Sequence, residues 1–145
     1  LKLYDYTIGS IHTSFDQPRE MITGRLLAAL RNPYVNALGH PTGRLLGERE
    51  AYEVNWERVF AAARAQGKIL EINSYPSRLD LPDDLVRMAK GRGIPFIINT
   101  DAHHPDHFKN LPFGVSVARR GWCEKKDVAN SRPYREFVKL MKVRR

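Results

Sequence analysis

Four short stretches place residues suited to binding metal and moving protons just where an apolar run gives out. In Asn99-Thr100-Asp101-Ala102-His103-His104-Pro105, the carboxylate of Asp101 and the imidazole of His103 stand two residues apart. In extended chain such a pair points the same way. The other three stretches are Ser10-Ile11-His12, Leu38-Gly39-His40 and Leu70-Glu71-Ile72-Asn73. Imidazole and carboxylate without thiolate suit Zn²⁺, Mn²⁺ or Fe²⁺ in a catalytic setting. A bound ion of that kind generates a metal-bound hydroxide and stabilises charge on a phosphoryl or carbonyl oxygen. Each residue also has a plain alternative: Asp101 as a helix cap, each histidine as a surface group. Three histidines and a carboxylate at neighbouring strand ends favour the metal reading. His104 and His107 suit surface or supporting roles beside the ligands. Glu71 sits deeper in its strand, with Asn73 on the same side, and is placed to hold a neighbouring loop or ligand.

The elements that position these residues read as alternating strands and helices. Strands are expected over 3–12, 34–40, 68–73 and 95–98. Asp16 and Pro18 open a first helix carried by Met21, Ile22, Leu26, Ala29 and Leu30, and Asn32-Pro33 stops it. Asn55 caps a second, with Trp56, Val59, Phe60 and Ala63 at i, i+3, i+4 and i+7 and Gly67 at its end. Asp80 and Pro82 open a third, carried by Leu85, Met88 and Ala89 and ended by Gly91 and Gly93. Gly114-Val115-Ser116-Val117-Ala118 reads as a fifth, short strand. Ser131 and Pro133 start a last helix with Tyr134, Phe137, Val138 and Met141 on one face. Repeated β-α units with short connections give an α/β fold with a parallel sheet, and its strand ends converge on one mouth.

Composition bounds the rest. The chain has 145 residues, 42% of them hydrophobic and 28% charged, enough for one domain with an adequate core. No apolar run is long enough for a membrane span. The single cysteine, Cys123, excludes an intrachain disulfide framework and reads as inert, which suits a reducing, cytoplasmic setting. The chain begins with Leu1 on a strand-shaped segment, so its N-terminus reads as cut. Net charge is +8, and 10 of the 24 Lys and Arg fall from Arg119 onward, against 3 of the 16 Asp and Glu. Such a basic tail attracts polyanions, nucleic acid first among them, or serves as a solvated helix face. Arg44, Arg119 and Arg120 are placed to meet a phosphate. Trp122 and Tyr75 could stack on a base, and core packing is the favoured reading of both.

The blocks Ser10-Ile11-His12, Gly39-His40-Pro41-Thr42-Gly43-Arg44-Leu45-Leu46-Gly47, Leu70-Glu71-Ile72-Asn73, Asn99-Thr100-Asp101-Ala102-His103-His104 and Ala118-Arg119-Arg120-Gly121-Trp122 resemble the polymerase-and-histidinol-phosphatase (PHP) domain. The version carried by bacterial family X DNA polymerases is the best match. The resemblance spans nearly the whole chain. It implies the C-terminal part of a distorted (β/α)₇ TIM-like barrel whose N-terminal half precedes residue 1, which would leave an unpaired sheet edge. It also implies phosphoester hydrolysis, of the manganese-dependent 3′-5′ exonuclease and 3′-end processing kind in the repair polymerases. By motif position His12 and His40 share one metal, Asp101 serves a second and His103 a third; Asp101 and His103 are the catalytic candidates. The family's opening His-x-His and bridging Glu are absent here, so the chain alone is expected to act poorly. The implied partners are DNA 3′ ends and an upstream polymerase. Two other functions fit the same residues: an inactive scaffold or DNA-binding module, and a small-molecule phosphatase of the histidinol-phosphatase type.

Overall fold

The computed structural model describes residues 3–141. Its strands are β1 (Ile8–Gly9), β2 (Ala37–Leu38), β3 (Ile69–Asn73) and β4 (Phe96–Asn99), paired in parallel in the order β1-β2-β3-β4. The first three helices are α1 (Arg19–Arg31), α2 (Trp56–Ala65) and α3 (Asp83–Gly91), each linking one strand to the next. After β4 come a 3₁₀ turn over Pro105–Asn110, then α4 (Leu111–Arg120), two more 3₁₀ turns, and α5 (Tyr134–Met141). This is the α/β alternation expected from the sequence. The first two strands are shorter than expected, two residues each.

Alternation along the strands divides the interior in two. Leu70, Ile72, Phe96 and Ile98 join the main core with Ile22, Leu26, Leu30, Val59 and Phe60 of α1 and α2. Ile69, Ile97 and Ala37 form a smaller cluster with Ala129, against which Tyr6 and Phe137 pack. A sheet covered on both faces explains why β3 is buried along its whole length. The edge beside β4 is partly closed. Phe96 bridges to Val128, and the Asn130 amide accepts the Ile98 N–H at 3.2 Å and donates to the Ile98 carbonyl at 2.7 Å.

The helices test the sequence rules one by one. Asn55 caps α2, accepting the Arg58 N–H at 3.3 Å, and Gly67 follows its end with φ +59°. Asp16 does not cap α1; the helix follows Pro18, whose carbonyl takes the Met21 and Ile22 N–H groups. Asp80 does not cap α3 either, because that carboxylate is engaged elsewhere. The expected fifth strand, Gly114 to Ala118, is helical and lies within α4. Gly114, Val117 and Ala118 are its buried positions, spaced i, i+3 and i+4. The bare Cα of Gly114 lets α4 settle on the sheet, since a Cβ there would stand 2.0 Å from Ser74 Oγ and 2.7 Å from Ile98 Cγ2. Tertiary packing overrides the β-branched composition. In α5, Phe137 and Val138 are half-buried and Tyr134 is exposed; the side chain of Met141 and the tail residues 142–145 lie outside the described residues. Among the described residues no helix is long and apolar enough to cross a membrane.

Candidate active site

The loops after the four strands carry the residues singled out above. Gly39 continues the pairing of β2, giving its N–H to the Gly9 carbonyl. A Cβ on it would lie 2.7 Å from Ile8 Cγ2 and 3.3 Å from Glu71 Oε2, so only glycine fits. The chain then turns at His40, whose φ of 29° is unusual for a residue with a side chain. Asp101, after β4, has φ 52°. Both strand-end residues are thus held in sparsely populated backbone, a pattern that clusters at functional sites.

Glu71 is what holds His40 in place. It is 4% exposed, and its carboxylate accepts the His40 N–H at 2.6 Å, the Asn99 amide at 2.8 Å and the Asn73 amide at 3.3 Å. Burial raises its pKa, and these hydrogen bonds oppose the rise. Asn73 also accepts the Tyr75 N–H at 2.9 Å and so starts the next loop.

The rings of His12 and His40 meet edge to face with centroids 5.0 Å apart. His12 is exposed, its Nε2 3.0 Å from Ser10 Oγ. His40 is buried, and its Nδ1 has no hydrogen-bond partner. Burial lowers the His40 pKa to about 4, helped by the charges of Arg78 and His12 and opposed by Asp101. At neutral pH the ring is therefore uncharged, the form in which imidazole binds a metal.

Asp101 pairs with Arg78, Nε to Oδ2 at 3.1 Å. Its backbone carbonyl lies 2.8 Å from His103 Nδ1. A carbonyl can only accept, so that nitrogen carries a proton, and in the neutral form of this exposed ring Nε2 is the acceptor. His104 takes the Asp106 N–H on Nδ1 and caps the 3₁₀ turn, while His107 accepts the His103 N–H and meets Tyr75 edge-on at 5.3 Å.

The structure thus brings His12 and His40 together, sets Asp101 close enough to influence His40, and leaves His103 tethered through its ring to the Asp101 backbone. Among the described residues, no three His, Cys, Asp or Glu side chains form a group able to hold a metal. The donor chemistry fits a divalent ion at the His12–His40 pair: one neutral buried imidazole with an unpartnered nitrogen, faced by a second ring.

The arginines divide. Arg44 is half-buried and donates through Nε to the Arg78 carbonyl at 2.8 Å and through Nη2 to the Leu79 carbonyl. Arg119 and Arg120 lie in the last turn of α4 rather than after a strand, and Arg120 pairs with Asp83 at 2.9 Å. Trp122 is not core: it is 63% exposed, with the Arg87 guanidinium 4.0 Å over its ring. Cys123 is half-buried, and burial pushes its thiol to about 11.

Sequence reasoning missed two residues here. Asp80 is fully buried and accepts the Thr42 N–H on both oxygens, at 3.1 and 3.0 Å, and the Gly43 N–H at 3.1 Å. It shapes the loop after His40. Gly43 has φ +66° there, and a Cβ on it would stand 2.2 Å from the Tyr52 ring. Burial raises the Asp80 pKa to about 7 against those hydrogen bonds. The second is Arg78, in the loop that follows β3; its place after a strand end was the available signal.

No family model matches the chain. It is 41% identical over 138 residues, 95% of its length, to the DNA polymerase/3′-5′ exonuclease PolX of Bacillus subtilis (strain 168). It is also 31% identical over 112 residues to a probable phosphatase of Thermoanaerobacter sp. (strain X514) and 32% identical over 112 residues to one of Caldanaerobacter subterraneus subsp. tengcongensis. Each of the two phosphatase matches covers 71% of this chain. The chain belongs to the PHP family. It spans 24% of the length of the PolX relative and 43% and 42% of the two phosphatases, so it corresponds to part of each PHP relative.

Proposed function

We propose that this chain carries part of the active site of a divalent-metal-dependent phosphoesterase acting on DNA 3′ ends, of the 3′-5′ exonuclease type. The reading rests above all on the unpartnered Nδ1 of His40, buried at a strand end and faced by His12 with ring centroids 5.0 Å apart. The two rings would hold an ion, Mn²⁺ or Zn²⁺ with Fe²⁺ as a further candidate, and Asp101 and His103 are the donors for others. Such an ion polarises a phosphoryl oxygen and lowers the pKa of water. The chain's own residues do the positioning. Glu71 fixes the backbone of His40, and burial keeps that ring neutral. Arg78 holds the Asp101 carboxylate, and His103, protonated at Nδ1, presents Nε2 as a proton acceptor.

DNA is favoured as substrate by the PolX relative and by the charge excess from Arg119 onward. The probable phosphatases favour a second reading, hydrolysis of a small phosphate ester. The assay joins the chain to the upstream half of a PolX relative, where the PHP resemblance places the remaining ligands. Mn²⁺-dependent release of nucleotides from 3′-labelled DNA is expected, abolished by chelator and by Asp101→Ala while DNA binding is retained. Cleavage of small esters alone would favour the second reading. A folded, metal-loaded protein that binds DNA and cleaves nothing would leave only a scaffold.

A further inference from the structure

The end of the sheet away from His40 and Asp101 carries a cavity of about 580 Å³, walled by α5 and by the loops that enter β2, β3 and β4. Three cations line it: Arg31 in the last turn of α1, Lys68 just before β3, and Lys139 on α5. Its lining holds no carboxylate. Lys68 is 8% exposed and donates through Nζ to the Asn32 carbonyl at 2.9 Å and the Val35 carbonyl at 2.5 Å. Those acceptors are neutral, and among the described residues none of the three cations forms an ion pair. One use of such cations is to complement helix C-termini, and α1 and α2 both end at this cavity. Their two dipoles together supply about one negative charge against three positive ones. About two positive charges are left over in a concave wall, where the field is focused.

We propose that this cavity binds a phosphate monoester of nucleoside-monophosphate size, its phosphate held by Arg31, Lys68 and Lys139 and its ring laid on Val35, Pro95 and Leu140. The charge selects the monoester, which carries close to two negative charges at neutral pH where a phosphodiester carries one. The volume selects the size: small-molecule pockets run from roughly 300 to 1,000 Å³, far beyond what a bare ion fills. Guanidinium meets phosphate oxygens as a planar fork and ammonium as a point charge, so the three cations divide the work. Burial lowers the Lys68 pKa, and an anion beside it opposes that shift and keeps the ammonium charged. The site stands at the far end of the strands from the His12–His40 pair and does not depend on the phosphoesterase reading.

Deoxyadenosine monophosphate is the probe, titrated into the chain in metal-free buffer and followed by ³¹P line broadening. Saturable binding is expected for the wild type, with deoxyadenosine and inorganic phosphate both weaker competitors. Arg31→Gln removes one exposed cation and is expected to weaken the nucleotide about tenfold, the loss of one charge-assisted hydrogen bond. His40→Ala is expected to bind it as the wild type does, which separates this cavity from the strand-end histidines. Circular dichroism checks that each variant is folded; should Arg31→Gln not fold, Lys139→Gln takes its place with the same two outcomes. A folded wild type that never binds the nucleotide would overturn the proposal, as would equal affinity in a folded Arg31→Gln. Loss of binding in His40→Ala would move the nucleotide to the strand-end site and overturn it too. Displacement at equal concentration by a single-stranded oligonucleotide without terminal phosphates would assign the cations to the DNA backbone and defeat the monoester reading. The same titration on the protein joined to the upstream half of a PolX relative should give the same affinity. Binding lost on joining would mean that the upstream half covers this cavity, and the proposal would fall.

Discussion

Asp80→Asn isolates a buried carboxylate whose pKa is raised to about 7. Burial raises the Asp80 pKa from 3.8 to about 7 even though three backbone hydrogen bonds favour its ionised form. The sign follows from proton counting. Between those two values the folded chain binds more protons at this site than the unfolded chain, so stability falls as pH rises. The contribution is fully present below about pH 4 and is lost as pH passes through 7. A shift of this size corresponds to about 4 kcal/mol in all, of which about 2.5 kcal/mol should disappear between roughly pH 4.5 and 6.5. The assay is urea unfolding at several pH values on the wild type and Asp80→Asn, taking the difference so that every other titrating group cancels. The wild type should lose stability relative to the variant by up to about 1.4 kcal/mol per pH unit in the middle of that range. A difference that is flat, or that grows in the wild type's favour as pH rises, would refute the reasoning.

Gly43→Ala forces a Cβ to within 2.2 Å of the buried Tyr52 ring at φ +66°. Left-handed strain and overpacking together should cost about 2–5 kcal/mol in urea unfolding, and a loss under about 0.5 kcal/mol would contradict the packing described. Charge reversal at Lys139, Lys142 and Arg144 is expected to flatten the salt dependence of DNA affinity, measured by fluorescence anisotropy, by roughly 0.9 in log–log slope for each phosphate no longer neutralised. An unchanged slope in a folded variant would remove the basic tail from the DNA-binding account.

The parallel strand-helix alternation was legible because apolar runs and caps such as Asn55 are local signals, and the fold uses them as written. Strand lengths were not. Thr7 and Asn36 exchange hydrogen bonds beside β1 and β2 in a way that composition does not reveal. Gly114 to Ala118 misled because its Val residues favour strand. Only the presence of Ser74 and Ile98 beneath Gly114 explains the helix. The strand-end rule singled out His12, His40 and Asp101, and the structure sets each in the loop that follows its strand. It could not reveal that Glu71 is occupied by three donors, that Arg44 faces carbonyls, or that Asp80 serves a loop 37 residues earlier. Those are partnerships across the fold, and no periodicity encodes them. Trp122 was misjudged for a related reason: its exposed ring is covered by Arg87 rather than by core.

Calorimetric titration of Mn²⁺ into the wild type and into His40→Ala tests the central claim most directly. The neutral, unpartnered ring facing His12 should make His40 the main donor in this chain. Saturable binding by the wild type is expected, weakened about tenfold or more in a folded His40→Ala, because a lost imidazole donor is not replaced by water at equal strength. Equal binding by the two proteins would contradict the assignment of the strand-end histidines as a metal site.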